Sequence, residues 1–277
     1  MFANKEFVMT DADFEFVRDT VYKTCGIVLG EHKKQMVYSR LARRIRALGL
    51  SSHREYINYL ESHKEKEFSE FINALTTNLT SFFREQHHFD FLKSTVIPEL
   101  CQIHQRDRRI RFWSAGCSSG EEPYSIMMTM MSNMSLTNWD FKLLATDLDS
   151  NVLSRAAGGV YGEHHLEGVQ TLIKDRYFDR IDAEDYQVKP ELKQFISFKR
   201  LNLLQPKWPM KGPFDVIFCR NVLIYFDQET KDTLFKRYAD MLRPGGYLFI
   251  GHSESVGKGH PYLRPLGKTM YQCEKEL

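Results

Sequence analysis

Apolar residues in the first quarter of the chain recur at three- and four-residue steps: Phe14, Val17 and Val21, then Val37, Leu41, Ile45 and Leu48. This is the spacing of one helical face. Gly26 and Gly49 punctuate it and no β-rich run interrupts it. A small helical domain is therefore predicted from about Asp11 to Leu75. After a helical lead-in over 87–104 the period changes. Residues 110–113, 141–146, 214–219 and 247–252 form short apolar runs of the kind that make buried parallel strands. Helical segments lie between them, at 124–134 and 228–242, the second closed by Arg243-Pro244-Gly245-Gly246 as a stop and turn. Strands and helices in alternation predict an α/β sheet. Between Gly158 and Arg200 the runs become short and alternating, which predicts a small antiparallel insertion, with residues from Phe195 onward leading back towards the main sheet. Residues 269–273 read as a last, edge strand.

Composition narrows the class. The 277 residues are 42% hydrophobic and 27% charged, with a net charge of +2. These are ordinary values for a globular protein, and they give no whole-chain field for nucleic acid. Five scattered cysteines, never in C-x-x-C spacing, read as reduced thiols without a disulfide or zinc framework. The opening Met1-Phe2-Ala3-Asn4-Lys5-Glu6 lacks an apolar signal core, and no run is long enough to span a membrane. A cytoplasmic protein without membrane insertion is expected.

The chemistry centres on Arg111-Phe112-Trp113-Ser114-Ala115-Gly116-Cys117-Ser118-Ser119-Gly120-Glu121-Glu122-Pro123, a strand entering a glycine loop that opens a helix. Strand, glycine loop and helix begin nucleotide-binding α/β sheets. The loop has neither the Lys-Ser/Thr ending of a P-loop nor a clean G-x-G-x-x-G. Glu121 and Glu122 would repel a pyrophosphate at the helix start, which favours a ligand with hydroxyls and a cationic centre, as S-adenosylmethionine has. A tight turn with a charged first helical turn fits the loop equally well. Asp147 ends the second strand, where such folds bind ribose hydroxyls. Asn221 and Tyr225 follow the 214–219 strand, either as satisfied core hydrogen-bonders or as functional groups. His252 beside Ser253 and Glu254 reads as structural, and the cluster Met127, Met128, Met130 and Met131 as core filler.

The second helix carries the main charge asymmetry. No Asp or Glu occurs between His32 and Arg54, while Arg40, Arg43, Arg44 and Arg46 crowd one side. Charges of one sign repel, so an acidic partner is favoured over a merely solvated face.

Taken together, Met36-Val37-Tyr38-Ser39-Arg40-Leu41, Leu75-Thr76-Thr77-Asn78-Leu79-Thr80-Ser81-Phe82-Phe83-Arg84-Glu85, the glycine loop, Ala145-Thr146-Asp147-Leu148-Asp149, Phe218-Cys219-Arg220-Asn221-Val222-Leu223-Ile224-Tyr225-Phe226 and Gly251-His252-Ser253-Glu254 resemble the S-adenosylmethionine-dependent chemotaxis receptor methyltransferases of the CheR type, over nearly the whole chain. The resemblance implies an all-α N-terminal domain (1–76) before a Rossmann-like methyltransferase domain (77–277) with an antiparallel β subdomain inserted at 158–200. It implies methylation of glutamate side chains on the cytoplasmic helical bundle of methyl-accepting chemotaxis receptors, giving methyl esters and S-adenosylhomocysteine, by a monomer. Asn78, Thr80, Arg84, Glu122, Asp147, Asn202, Leu203, Asn221 and Val222 then correspond to cofactor contacts. Arg84 and Tyr225 correspond to the residues nearest the transferred methyl, and Arg40, Arg43, Arg44 and Arg46 to the receptor-binding face. Tether-dependent relatives carry a glycine-containing insertion in a β-subdomain loop. Here Arg180-Ile181-Asp182-Ala183-Glu184-Asp185-Tyr186 is short and lacks glycine, so pentapeptide independence is expected. A carboxylate nucleophile is already ionised at neutral pH, so neither general base nor metal is required, and no metal-ligand cluster is apparent. A nucleic-acid methyltransferase, using the basic helix on phosphates, and a non-catalytic adaptor are the rival readings. A dehydrogenase is disfavoured by Glu121 and Glu122.

Overall fold

The structure is a computed structural model and describes residues 6–275. Met1–Lys5, part of the opening read above as lacking a signal core, lie outside the described residues. None of the described helices is long and apolar enough to cross a membrane.

Two compact units are present, the first running to Thr77 and including Tyr225–Asp227, the second holding Asn78–Ile224 and Gln228 onward. In the first unit α1 (Asp11–Cys25), α2 (Lys34–Ala47), α3 (His53–Ser62) and α4 (Lys64–Leu75) bury the apolar stripe read from the sequence: Phe14, Val17, Val21, Val37, Leu41 and Ile45 are all at most 1% exposed. A reciprocal cap starts α1. Asp13 N–H donates to Thr10 Oγ1 at 3.2 Å, and Thr10 N–H to Asp13 Oδ2 at 2.9 Å, an arrangement that contributes about 1 kcal/mol.

The second unit opens with a continuous helical stretch: α5 (His87–Phe91), a π-type turn at Leu92–Val96 and α6 (Ile97–Ile103). Then follow β1 (Arg109–Ala115), α7 (Glu121–Asn133), β2 (Asp140–Asp147), α8 (Ser150–Gly158), β3 (Val160–Gly162), α9 (Thr171–Tyr177), β4 (Phe178–Arg180), β5 (Asp185–Val188), α10 (Pro190–Lys193), β6 (Ile196–Arg200), β7 (Phe214–Cys219), α11 (Gln228–Met241), β8 (Leu242–Ile250), β9 (Leu263–Gly267) and β10 (Met270–Cys273). The main sheet has the order β6-β2-β1-β7-β8-β10-β9, parallel from β6 to β8, with β10 antiparallel to both of its neighbours. β1 and β7 are buried almost throughout, as central parallel strands must be. The small antiparallel sheet is β3-β5-β4.

Three sequence expectations are corrected. Ile196–Arg200 pairs with β2 in the main sheet, as expected of residues from Phe195 onward, so the antiparallel insertion ends before the 200 that the resemblance implied. β10 is not the edge. Leu263–Gly267 is, a strand disguised by Pro265, whose missing N–H an edge tolerates. Arg243-Pro244-Gly245-Gly246 follows the end of α11 at Met241, as expected of a stop, but it lies within β8 and not before it, as an irregularity that shifts the register against β7 between Phe214 and Val216.

Candidate active site

The register fixes the site. Ala115 pairs with Thr146, Ser114 with Phe218, and Cys219 with Ile250, so the loops after β1, β2, β7 and β8 leave one edge of the sheet together. Strand order reverses between β1 and β7, the position at which open α/β sheets form a ligand crevice.

Glycine is required at two points of the β1 loop. Gly116 has φ +97°, and a Cβ there would stand 2.2 Å from Val222 Cγ2, so the β1 and β7 loops touch through the missing side chain. Gly120 has φ +102°, and a Cβ would meet the Tyr161 hydroxyl at 2.7 Å.

Asp147 ends β2. Its Oδ2 accepts Ser118 N–H at 2.8 Å and its Oδ1 accepts Asp149 N–H at 3.0 Å. Burial pushes its pKa above the ordinary 3.8, against these backbone bonds. Asp149 is the N-cap of α8, its Oδ1 accepting Asn151 N–H at 2.8 Å, while its Oδ2 accepts Asn78 Nδ2 at 2.8 Å. The Asn78 carbonyl accepts Ser118 Oγ at 3.0 Å. The segment entering the unit is thus tied to both the β1 and β2 loops.

Arg84 sits in a strained turn, between Phe83 at φ +52° and Glu85 at φ +57°. Its Nη1 donates back to Leu79 O at 2.9 Å. Thr80 is half-buried in the same segment. Glu122 turns inward from the start of α7, accepting Ser114 Oγ at 2.7 Å and Arg220 Nη1 at 3.2 Å. Burial raises its pKa while Arg220 opposes the shift. Glu121 is also buried, bonded by Ser119 Oγ at 2.8 Å. Asn202, after β6, accepts Leu204 N–H on its Oδ1 at 3.0 Å, and the Leu203 carbonyl accepts Trp208 Nε1 at 3.1 Å.

Three site residues escaped the sequence reading. Arg220, directly after β7, is buried and joins Glu122, Glu85 (3.5 Å) and the Arg84 carbonyl. Glu254 accepts main-chain N–H groups of Gly251 at 2.5 Å, Asn221 at 3.0 Å and Ile224 at 3.2 Å. Glu85 accepts Asn221 Nδ2 at 3.4 Å and pairs with His252 Nδ1 at 3.0 Å. Burial raises the Glu85 pKa, but the His252 hydrogen bond and Arg220 outweigh it and hold the carboxyl at about 2. All three residues stood inside quoted motifs. A charged residue in an apolar run, as Arg220 is in Phe218-Cys219-Arg220, was the available signal. Glu85, His87 and His88 bring possible ligand atoms within 4.8 Å of one another.

The remaining predicted residues belong to the helical unit. Tyr225 accepts Val28 N–H on its carbonyl at 2.8 Å, and Lys33 Nζ lies 5.2 Å from its ring centre. Arg44 is committed internally, its Nε and Nη2 both 2.7 Å from the buried Glu67 carboxylate. Arg40 donates to the carbonyls of Leu75 and Thr76 and to Thr77 Oγ1. Arg46 pairs with Glu6 at 2.5 Å on the surface. Arg43 is exposed and makes no ion pair among the described residues.

The donor set suits S-adenosylmethionine better than a pyrophosphate. Carboxylates line the crevice at Asp147, Asp149 and Glu122, and the Arg220 guanidinium is buried against Glu85 and Glu122.

Comparison with known proteins gives the same answer. Residues 78–271 match the family model described as CheR methyltransferase, SAM binding domain, and residues 12–76 the one described as CheR methyltransferase, all-alpha domain. The chain is 43% identical over 274 residues to chemotaxis protein methyltransferase 2 of Pseudomonas aeruginosa, covering 98% of this chain and 96% of that one. It is 40% identical over 276 residues to the chemotaxis protein methyltransferase of Escherichia coli, covering 98% and 94%.

Proposed function

The chain belongs to the CheR methyltransferase family, an S-adenosylmethionine-dependent methyltransferase of chemotaxis, and from that premise we propose that it esterifies glutamate side chains on the cytoplasmic helical bundle of chemoreceptors. The observation that carries the reading is the near full-length likeness to two proteins named chemotaxis protein methyltransferases. The carboxylate-lined crevice at the sheet's switch point supports the cofactor's place in it.

Bound S-adenosylmethionine supplies a methyl group activated by a sulfonium. Asp147 takes the ribose hydroxyls. Asn78, Thr80, Glu122, Asn202, Leu203, Asn221 and Val222 complete the cofactor's surroundings. Arg84 offers a guanidinium to a carboxylate, and Tyr225 a hydroxyl to the incoming nucleophile. A glutamate side chain is ionised at neutral pH, with an ordinary pKa of about 4.3, so no residue needs to remove a proton. Orientation and electrostatics are the chain's contribution. Arg43 and Arg46 form the acidic-substrate face, with Arg40 and Arg44 supporting the helix that carries them.

The reading extends to the β subdomain, which acts without a tethering pentapeptide. The β4–β5 connection is closed on itself. Ile181 N–H donates to Asp185 O at 3.0 Å, and Asp182 Oδ1 accepts Glu184 and Asp185 N–H, both at 2.8 Å. Donors spent inside the turn are not available to an added strand.

The test is incubation with methyl-labelled cofactor and receptor cytoplasmic fragments, followed by mapping of the modified positions. Esters on glutamate support the reading. Label confined to lysine, or to nucleic acid, contradicts it.

A further inference from the structure

His88 is fully buried at the start of α5, and its Nε2 stands 3.0 Å from the carbonyl oxygen of Lys268. A carbonyl only accepts, so Nε2 carries the hydrogen, and in the neutral ring Nδ1 is then a bare lone pair. That lone pair faces Glu85 Oε2 at 3.5 Å, on a side chain only 10% exposed. Both atoms are buried and neither has a hydrogen-bond partner. Two Lewis bases thus confront each other in a low-dielectric setting, an arrangement that costs free energy unless something electron-poor lies between them.

A third donor completes the group. His87 places a ring nitrogen within 4.8 Å of both other ligand atoms, at a half-buried position. We propose that Glu85, His87 and His88 form a binding site for a divalent transition-metal cation of the zinc class, directly behind the turn that carries Arg84. Two imidazoles and one carboxylate are the borderline donor set that such cations take, with solvent filling a fourth position. The His88 Nε2–H bond to Lys268 O is the outer contact that fixes a ligating histidine's tautomer and ring orientation. Arg220 Nη2 stands 3.5 Å from the same Glu85 oxygen, which opposes a cation, but Arg220 is itself engaged by Glu122 at 3.2 Å. Binding would be structural in effect. It would pin Glu85, and with it the strained Phe83–Arg84–Glu85 turn, without any part in methyl transfer.

The test uses the full chain stripped with EDTA and titrated with zinc ion against a chromogenic chelator, then with cobalt for its visible spectrum. One equivalent is expected at micromolar affinity or tighter, with the cobalt bands of a four- or five-coordinate site and a zinc-dependent rise in melting temperature. His87→Ala and Glu85→Gln should each weaken binding at least tenfold and abolish the rise, with far-ultraviolet circular dichroism reporting an intact fold. No binding would mean that a water bridges the two acceptors, and would overturn the proposal. So would affinity unchanged in both variants, or affinity lost equally in Cys101→Ser, since that thiol is half-buried and outside the cluster.

Discussion

Glu254 Oε2 accepts the main-chain N–H of Asn221 at 3.0 Å, holding a non-glycine residue at φ +60° directly after β7. The same carboxylate takes Ile224 and Gly251, so one buried acid shapes the loops after two strands. Glu254→Ala leaves three N–H groups without that acceptor. It should cost about 3 kcal/mol of unfolding free energy, on the scale of charge-assisted hydrogen bonds lost from a buried acid. Denaturant unfolding measures this, and S-adenosylhomocysteine affinity should fall with it because Asn221 and Val222 are released together.

Asp147→Ala should weaken S-adenosylhomocysteine binding by at least about 1.5 kcal/mol, measured by calorimetry. A pH dependence follows from the same residue. Burial raises its pKa in the free chain, and a cationic ligand nearby lowers it again. Binding of S-adenosylmethionine therefore releases protons, and affinity falls as the pH drops from neutral towards the ordinary value of 3.8. Asp147→Asn should remove that dependence, and unchanged affinity in a folded Asp147→Ala chain would contradict the assignment.

How much of this was legible beforehand follows the physics of each signal. Helical periodicity exposed the first unit, and apolar runs exposed β1, β2, β7 and β8, because burial imposes those patterns directly. Asp147 was readable because a strand end fixes its place. Glu254 and Glu85 were not, since the partners that place them in the site, Asn221 and Ile224 for Glu254 and Asn221 and His252 for Glu85, lie far along the chain, where no local pattern encodes them. The arginine helix shows the same limit. One-signed charge pointed to an acidic partner, but for Arg44 that partner is Glu67 in the next helix but one.

Charge reversal at Arg43 and Arg46 should abolish receptor methylation and leave cofactor affinity intact, as read by methyl-transfer assay and calorimetry. Arg44→Ala should act differently. Removing it strips the buried Glu67 of its bidentate partner, leaving among the described residues the Tyr56 hydroxyl at 2.9 Å, and should cost about 2 kcal/mol of stability once Arg44's partial exposure is allowed for. Normal methylation by the Arg43/Arg46 variant would remove that helix from substrate recognition.

A free peptide carrying a receptor's tethering tail should bind the β subdomain weakly or not at all, and removing the tail from a receptor should leave its methylation rate unchanged. Micromolar binding in a titration, or methylation that collapses on truncation, would show that the closed 181–184 turn does not exclude a tether.

The most direct test of the central claim is transfer of radiolabelled methyl from S-adenosylmethionine to membranes bearing candidate chemoreceptors, followed by mild base. The account predicts label on the receptor that base releases as methanol, the signature of a carboxyl ester, and loss of that label with Asp147→Ala. Receptor label that survives base, or transfer to RNA or DNA in its place, would contradict it.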